Sequence, residues 1–340
     1  MRDRVSTLPR ALLACACLIV VPAMATAGDL HLQPGIFVDP QFDPKVALGA
    51  SVSHVSGIAH EYVFSNGGNH KLSELDWQIN DVLMLNASLG IRLTPWVALK
   101  LDGGTKLAGE SDLVDSDWVS HGLIRDHWSH STDTTVKSAN RVDFSGNLSL
   151  YRHPHFTLDA VAGVRWNEWE FQAQGGTYIY SSTGHLNDQI GDFVSGETGI
   201  ITKQNLVTPY LGLAFNAMWD RFALDGTLIG SRYSTAHNYD QHILRKDVSP
   251  TGFVAQTTVH NQDYYDYKFN GSYRYSDRVS ITVGWEREIY QLATSGVSYY
   301  TGGVGANGAG GGFIDTVGGP IIGSDNATDR YSVGLTYKLN

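Results

Sequence analysis

The sequence predicts an all-β protein, a transmembrane antiparallel β-barrel of about ten strands with long extracellular loops. Three observations carry that prediction. Several segments alternate apolar and polar residues with a period of two, which marks strands with one buried or lipid-facing side. The connections between them are either very short or long and polar. Only 17% of the residues are charged, while 37 glycines and 17 tyrosines suit turns and strands.

The first element is a leader. Arg2, Arg4 and Arg10 precede the apolar run Ala11–Val21, and the small residues Ala25 and Ala27 follow; this is the order of a secretory signal peptide, with cleavage expected after Ala27. The run is too short to span a bilayer as a helix. Residues 28–340 are then expected to form one barrel domain, since a closed sheet can use such a length without dividing. Both cysteines, Cys15 and Cys17, fall in the leader, so neither a disulfide nor a thiolate nucleophile is expected in the mature chain. Loss of residues 1–27 leaves 21 basic and 33 acidic residues, a formal charge of −12. That balance disfavours nucleic acid and favours cationic partners.

Among the strands, alternation is clearest near the C-terminus. Val279, Ile281, Val283 and Trp285 stand against Ser280, Thr282, Gly284 and Glu286, and Tyr331, Val333, Leu335, Tyr337 and Leu339 against Ser332, Gly334, Thr336 and Lys338. Aromatics at the ends of such stripes suit the two membrane interfaces. The short connections are Thr94-Pro95, Arg152–His155, Trp219–Arg221 and Tyr275–Arg278, and the long ones lie near 106–138, 181–199, 232–252 and 293–328. Short turns on one rim and long loops on the other, with an even number of strands, put both termini on the short-turn, periplasmic side. The stretch 302–312 is rich in glycine, but no Lys-Ser/Thr follows it, and it reads as an external loop rather than a phosphate cradle.

Two short motifs could carry chemistry. Asp115-Ser116-Asp117 and Asp240-Gln241-His242 are both pairs at i, i+2, a spacing that places the two side chains of a pair on one face of an extended segment. Asp240 can then hold one nitrogen of His242 and leave the other to take a proton from water. Asp115 and Asp117 lie so close that one of them is expected to keep or share a proton. Taken alone, an Asp-x-Asp in an exposed loop is usually a solvated turn or a weak cation site, and a lone Asp-x-His usually carries no chemistry, so the motifs by themselves are weak. Parity also raises a conflict. Phe222, Leu224 and Leu228 share even numbers with Asp240 and His242, and Val97, Leu99 and Leu101 share odd numbers with Asp115 and Asp117. In unbroken strands all four polar residues would face lipid, so each strand must contain a bulge above the membrane.

At these residues the chain resembles the omptin family of outer-membrane proteases. The resemblance runs from about Glu61 to the end, through Lys71–Trp77, Val114–Trp118, Gly175–Ser182, Gly191-Asp192-Phe193 with Gly196-Glu197, Thr208–Leu213 and Asn261–Tyr265. It implies a ten-stranded monomeric barrel in the outer membrane, with the active site in an extracellular groove. It also implies a metal-independent, aspartic-type endopeptidase in which Asp115, Asp117, Asp240 and His242 are catalytic and water is the nucleophile. Glu61 matches the acidic floor of a pocket for a basic side chain, which implies cationic peptide substrates; its plainer reading is a polar lumen residue. Asn238 stands where the family has a second pocket acid, which weakens or shifts that preference.

Family members typically need lipopolysaccharide. The matching positions, Val164, Trp166, Glu168, Asn205 and His260, lack phosphate-binding cations, so the resemblance implies outer-membrane lipid as surroundings and no cofactor. No zinc spacing is found among His127, His130 and His237. Arg245-Lys246 reads either as a self-cleavage site or as a solvated pair. A non-enzymatic barrel acting as an adhesin or invasin is the alternative function, and a porin the third.

Overall fold

The computed structural model describes residues 45–339 except 66, 67, 69, 119–123, 245–252, 296–298, 302–312 and 316–320. The leader, the Arg245-Lys246 pair, the glycine-rich stretch and Asn340 lie outside the described residues. Ten long strands make the wall: β1 (Lys45–Phe64), β2 (Lys71–Arg92), β3 (Val97–Asp117), β4 (His127–His153), β5 (Phe156–Gln174), β8 (Thr198–Trp219), β9 (Phe222–His242), β10 (Phe253–Arg274), β11 (Val279–Ser295) and β14 (Ile321–Lys338). Each pairs antiparallel with the next in that series, and β14 returns to β1, with Ala47 opposite Lys338, so the sheet closes. Four short strands extend it: β6 (Thr177–Ser182) on β4, β7 (His185–Asp192) on β6, β12 (Tyr299–Thr301) on β10 and β13 (Phe313–Asp315) on β12.

Closure removes every free edge among the long strands, the condition for backbone to cross hydrocarbon. The expected stripes face outward: Val283 is 56% exposed, Val333 61% and Leu335 56%, alongside Leu48, Leu85, Leu101 and Phe144 on other strands. These residues form an apolar belt on the half of the barrel nearer the short turns. Those turns include Tyr275–Arg278 and Asp220, which holds φ 50° between β8 and β9.

Inside the belt the lumen is filled. Arg165 donates from Nε to Asp143 Oδ2 at 2.7 Å and from Nη1 to Glu288 Oε2 at 2.6 Å, and also reaches Asp266, while Arg141 donates to Glu286 Oε1 at 2.5 Å. Ionised groups buried this deeply persist only when paired. Above this layer, Trp77, Ile79, Leu113, Trp169 and Phe171 form an apolar plug. Trp77 on β2 and Phe171 on β5 stack with centroids 5.4 Å apart, and because those strands are not neighbours the contact spans the lumen.

The bulges that parity demanded are present. Between Leu83↔Ala108 and Met84↔Lys106, β3 advances two residues for one on β2. On β3, Leu101 and Thr105 are exposed below this point, whereas Ser111 and Leu113 are buried above it. Likewise β9 spends three residues, Ser231 to Ser234, against two on β10, Gln262 to Tyr264. Phe222 and Leu224 are exposed below, and Ser234, Ala236 and Asn238 are buried above. One extra residue reverses which parity faces inward.

Candidate active site

β9 delivers the first pair. With its phase reversed, inward positions fall on Asn238, Asp240 and His242 near the long-loop rim, and His242 Nε2 lies 2.7 Å from Asp240 Oδ2. The contact fixes the ring and selects its tautomer. The rest of Asp240 is also engaged, because the Thr202 hydroxyl of β8 lies 3.2 Å from its Oδ1. Thr202 sits directly opposite Asp240 in the β8–β9 register.

Glu61 joins the same network from the other side of the barrel. Its Oε2 accepts from Thr202 Oγ1 at 2.7 Å and from Trp77 Nε1 at 3.3 Å, and the residue is 5% exposed. Burial and the Asp240 charge push its carboxyl up to about 8, so at neutral pH it is mostly neutral. Asn238 lies one inward position below Asp240 and donates to Ser324 Oγ at 3.0 Å. Two predicted pocket residues, Glu61 and Asn238, therefore border the Asp240–His242 pair, and β1 pairs Glu61 with the same Ser324 of β14.

β3 delivers the second pair. Asp115 is opposite Leu75 on β2 and Ser129 on β4, and Asp117 opposite Ser73 and His127. The Asp115 charge reaches His242 across the groove. Desolvation by itself would depress the imidazole, but Asp240 first, then Asp115 and Glu61, raise it to about 9. Asp117 lies one inward position nearer the rim, and its carbonyl accepts from the amide of Asp126 at 2.9 Å.

The other histidines go elsewhere: His127 Nδ1 lies 3.1 Å from Asp126, and His237 Nδ1 lies 3.0 Å from Thr258 on the outer wall. Thr202 is the residue that sequence reasoning missed, and no local signal marks it, because its role depends on the registers of three strands. Lys203 was missed too. It lies 2.7 Å from Glu168 on the outer wall, offsetting the charge of the one carboxylate named there, and its signal was its i, i+2 spacing from Asn205.

Residues 43–339 match the model of the Omptin family. The chain belongs to the omptin family. Among curated relatives of this omptin, Protease 7 of Escherichia coli is 29% identical over 277 residues, covering 79% of this chain and 83% of that protein. The plasminogen activator of Yersinia pestis is 25% identical over 323 residues, 94% of this chain and 96% of its own. The crystal structure of the outer membrane protease OmpT from Escherichia coli superposes with a TM-score of 0.79 at 25% identity, covering 88% of this omptin and 99% of that chain. The ten-stranded architecture expected from the sequence is thus shared with a solved omptin barrel.

Proposed function

We propose that this omptin is an outer-membrane endopeptidase of the aspartic type, with its long-loop rim facing the exterior, in which water attacks the peptide carbonyl. Its relatives are named as proteases. The observation that carries the reading is the His242–Asp240 contact at 2.7 Å, together with the Asp115 charge felt at the same imidazole. In the proposed reaction His242 takes a proton from a water held by Asp115 and Asp117, hydroxide adds to the carbonyl, and the proton passes to the leaving amine. Asp240 orients the imidazole and stabilises it while protonated. An imidazole raised to about 9 is neutral in about one molecule in a hundred at pH 7. The penalty in population is only partly offset by a stronger drive for proton transfer.

Glu61, once ionised, would pair with a cationic side chain of the substrate. Lipopolysaccharide dependence is proposed to be weak, since Lys203, the cation nearest the outer-wall positions, is held by Glu168. The packed lumen argues against an open pore. The test is full-length protein refolded in detergent and given fluorogenic Arg-Arg and Arg-Lys peptides, with and without lipopolysaccharide. Cleavage by the parent and its loss in Asp240→Ala, His242→Ala and Asp117→Ala is the expected result. Undiminished cleavage in His242→Ala would overturn the mechanism.

A further inference from the structure

Directly below the Asp240–His242 pair, three adjacent strands carry a buried polar row. Gln204 on β8 pairs in register with Asn238 on β9, which pairs with Thr257 on β10. Gln204 is 1% exposed, Asn238 6% and Thr257 4%. From across the lumen, Asn326 donates to Gln204 Oε1 at 3.3 Å and Ser324 accepts from Asn238, while Gln262 Nε2 donates to the Ser324 carbonyl at 2.9 Å.

These bonds use only part of each amide and none of the Thr257 hydroxyl. Gln204 Nε2, Asn238 Oδ1, Thr257 Oγ1 and Gln262 Oε1 are buried with no protein partner, and they are all the uncharged side-chain atoms in that condition among the described residues. A buried donor or acceptor left unmatched costs about as much as a lost hydrogen bond. Three of them lie in one row adjoining the proposed reacting groups, with Gln262 below it on β10 joined through Ser324, and together they mark where a ligand's own donors and acceptors go. The row offers both kinds, and its amides can present either end. It carries no formal charge, and a cation buried here would need an anion. Asp240, one position above the row, is already taken up by His242 and Thr202, and Glu61, the other acid beside the site, is mostly neutral at pH 7 and must first ionise against burial.

We propose that this layer is a subsite for an uncharged, hydrogen-bonding substrate side chain of amide or ureido chemistry, such as glutamine or citrulline. The proposal rests on the reading of Asp240 and His242 as catalytic, since it makes the layer the seat of a residue beside the scissile bond. A cation is accepted only at the cost of ionising Glu61, whereas an amide or urea satisfies the orphaned atoms with no change of charge.

Four labelled peptides test it, identical except for arginine, citrulline, glutamine or norleucine at the residue before the cleaved bond. Affinity is read by fluorescence anisotropy on the refolded full-length His242→Ala protein at pH 7, and cleavage on the parent. The citrulline and glutamine peptides are expected to bind within about threefold of the arginine peptide, and norleucine about tenfold or more weaker. Asn238→Asp is expected to shift preference toward arginine by about tenfold, and Thr257→Val to weaken glutamine but not norleucine. Arginine exceeding both neutral peptides by more than about tenfold overturns the proposal, as does equal binding of all four. Cleavage of the arginine peptide alone sinks the subsite and leaves the proteolytic reading standing. The expected order of binding without any cleavage does the reverse.

Discussion

At the scale of single residues, the site is governed by how three carboxyls share one imidazole. Asp240, Asp115 and Glu61 together lift His242 to about 9 from an ordinary 6.5, so the protonated ring contributes stability that is complete below pH 6.5 and is lost as pH rises through 9. Two outcomes follow. The His242 resonance in an NMR titration is expected near 9 in the parent and lower in Asp115→Asn, which removes one raising charge; an unmoved midpoint would show that β3 does not reach β9. Cleavage efficiency is expected to climb with pH on the alkaline side of 7 as the neutral base becomes populated. Glu61, pushed up to about 8, ionises over the same range, so preference for an arginine substrate over a neutral one should grow with pH and stop growing in Glu61→Gln. The Asp-x-His and Asp-x-Asp spacings were legible because i, i+2 geometry is local. Thr202 was not, since nothing in its neighbours tells which acids it will face.

At the scale of elements, the two strands that carry the acidic and histidine pairs, β3 and β9, change which parity faces inward part-way along their length, whereas β1 and β8 bring Glu61 and Thr202 to the site on one unbroken parity. Arg232 and Tyr233, between Ser231 and Ser234, hold the extra residue of β9, and Tyr233 is 71% exposed. Deleting Tyr233 restores unbroken alternation and turns Asp240 and His242 to the outer wall. Activity is expected to fall roughly a thousandfold, while the barrel keeps its heat-modifiable migration in gels; a deletion protein with parental activity would sink the assignment. On β10 the matching irregularity contains Asn261 at φ 58°. Asn261→Val is expected to destabilise by ~1–2 kcal/mol and Asn261→Gly hardly at all, because a β-branched side chain resists the left-handed region. Alternation exposed the strands, and its conflict with the acidic pairs announced the bulges. Their location stayed hidden, because a bulge is defined by the partner strand's register and only weakly by the bulged strand's own residues.

At the scale of the whole molecule, the barrel stacks a polar lumen, an apolar plug and the rim that carries the proposed catalytic groups along one axis. The belt alternation that was legible in the sequence says what faces lipid, but the inward residues meet across the lumen at separations such as 86 and 145 in the chain, which no local pattern records. Arg165 shows what that interior demands. It binds Asp143, Asp266 and Glu288 in a layer where it is 4% exposed. Arg165→Met removes the cation and keeps most of the volume, taking from Asp143 its ion-pair partner and leaving Asp266 and Glu288 with Arg141 at 4.0 and 3.8 Å. Because an unmatched buried ion costs far more than a well-matched pair gains, the variant is expected to lose ~3–5 kcal/mol in urea unfolding of the folded barrel in lipid vesicles. A loss under about 1 kcal/mol would mean that the carboxyls are hydrated or protonated in place, and a lumen that wet would conduct ions in a planar bilayer. Since the apolar plug of Trp77 and Phe171 lies between this layer and the rim, the stability loss should arrive with the peptide-binding order of the rim unchanged, separating what holds the barrel shut from what reads the substrate.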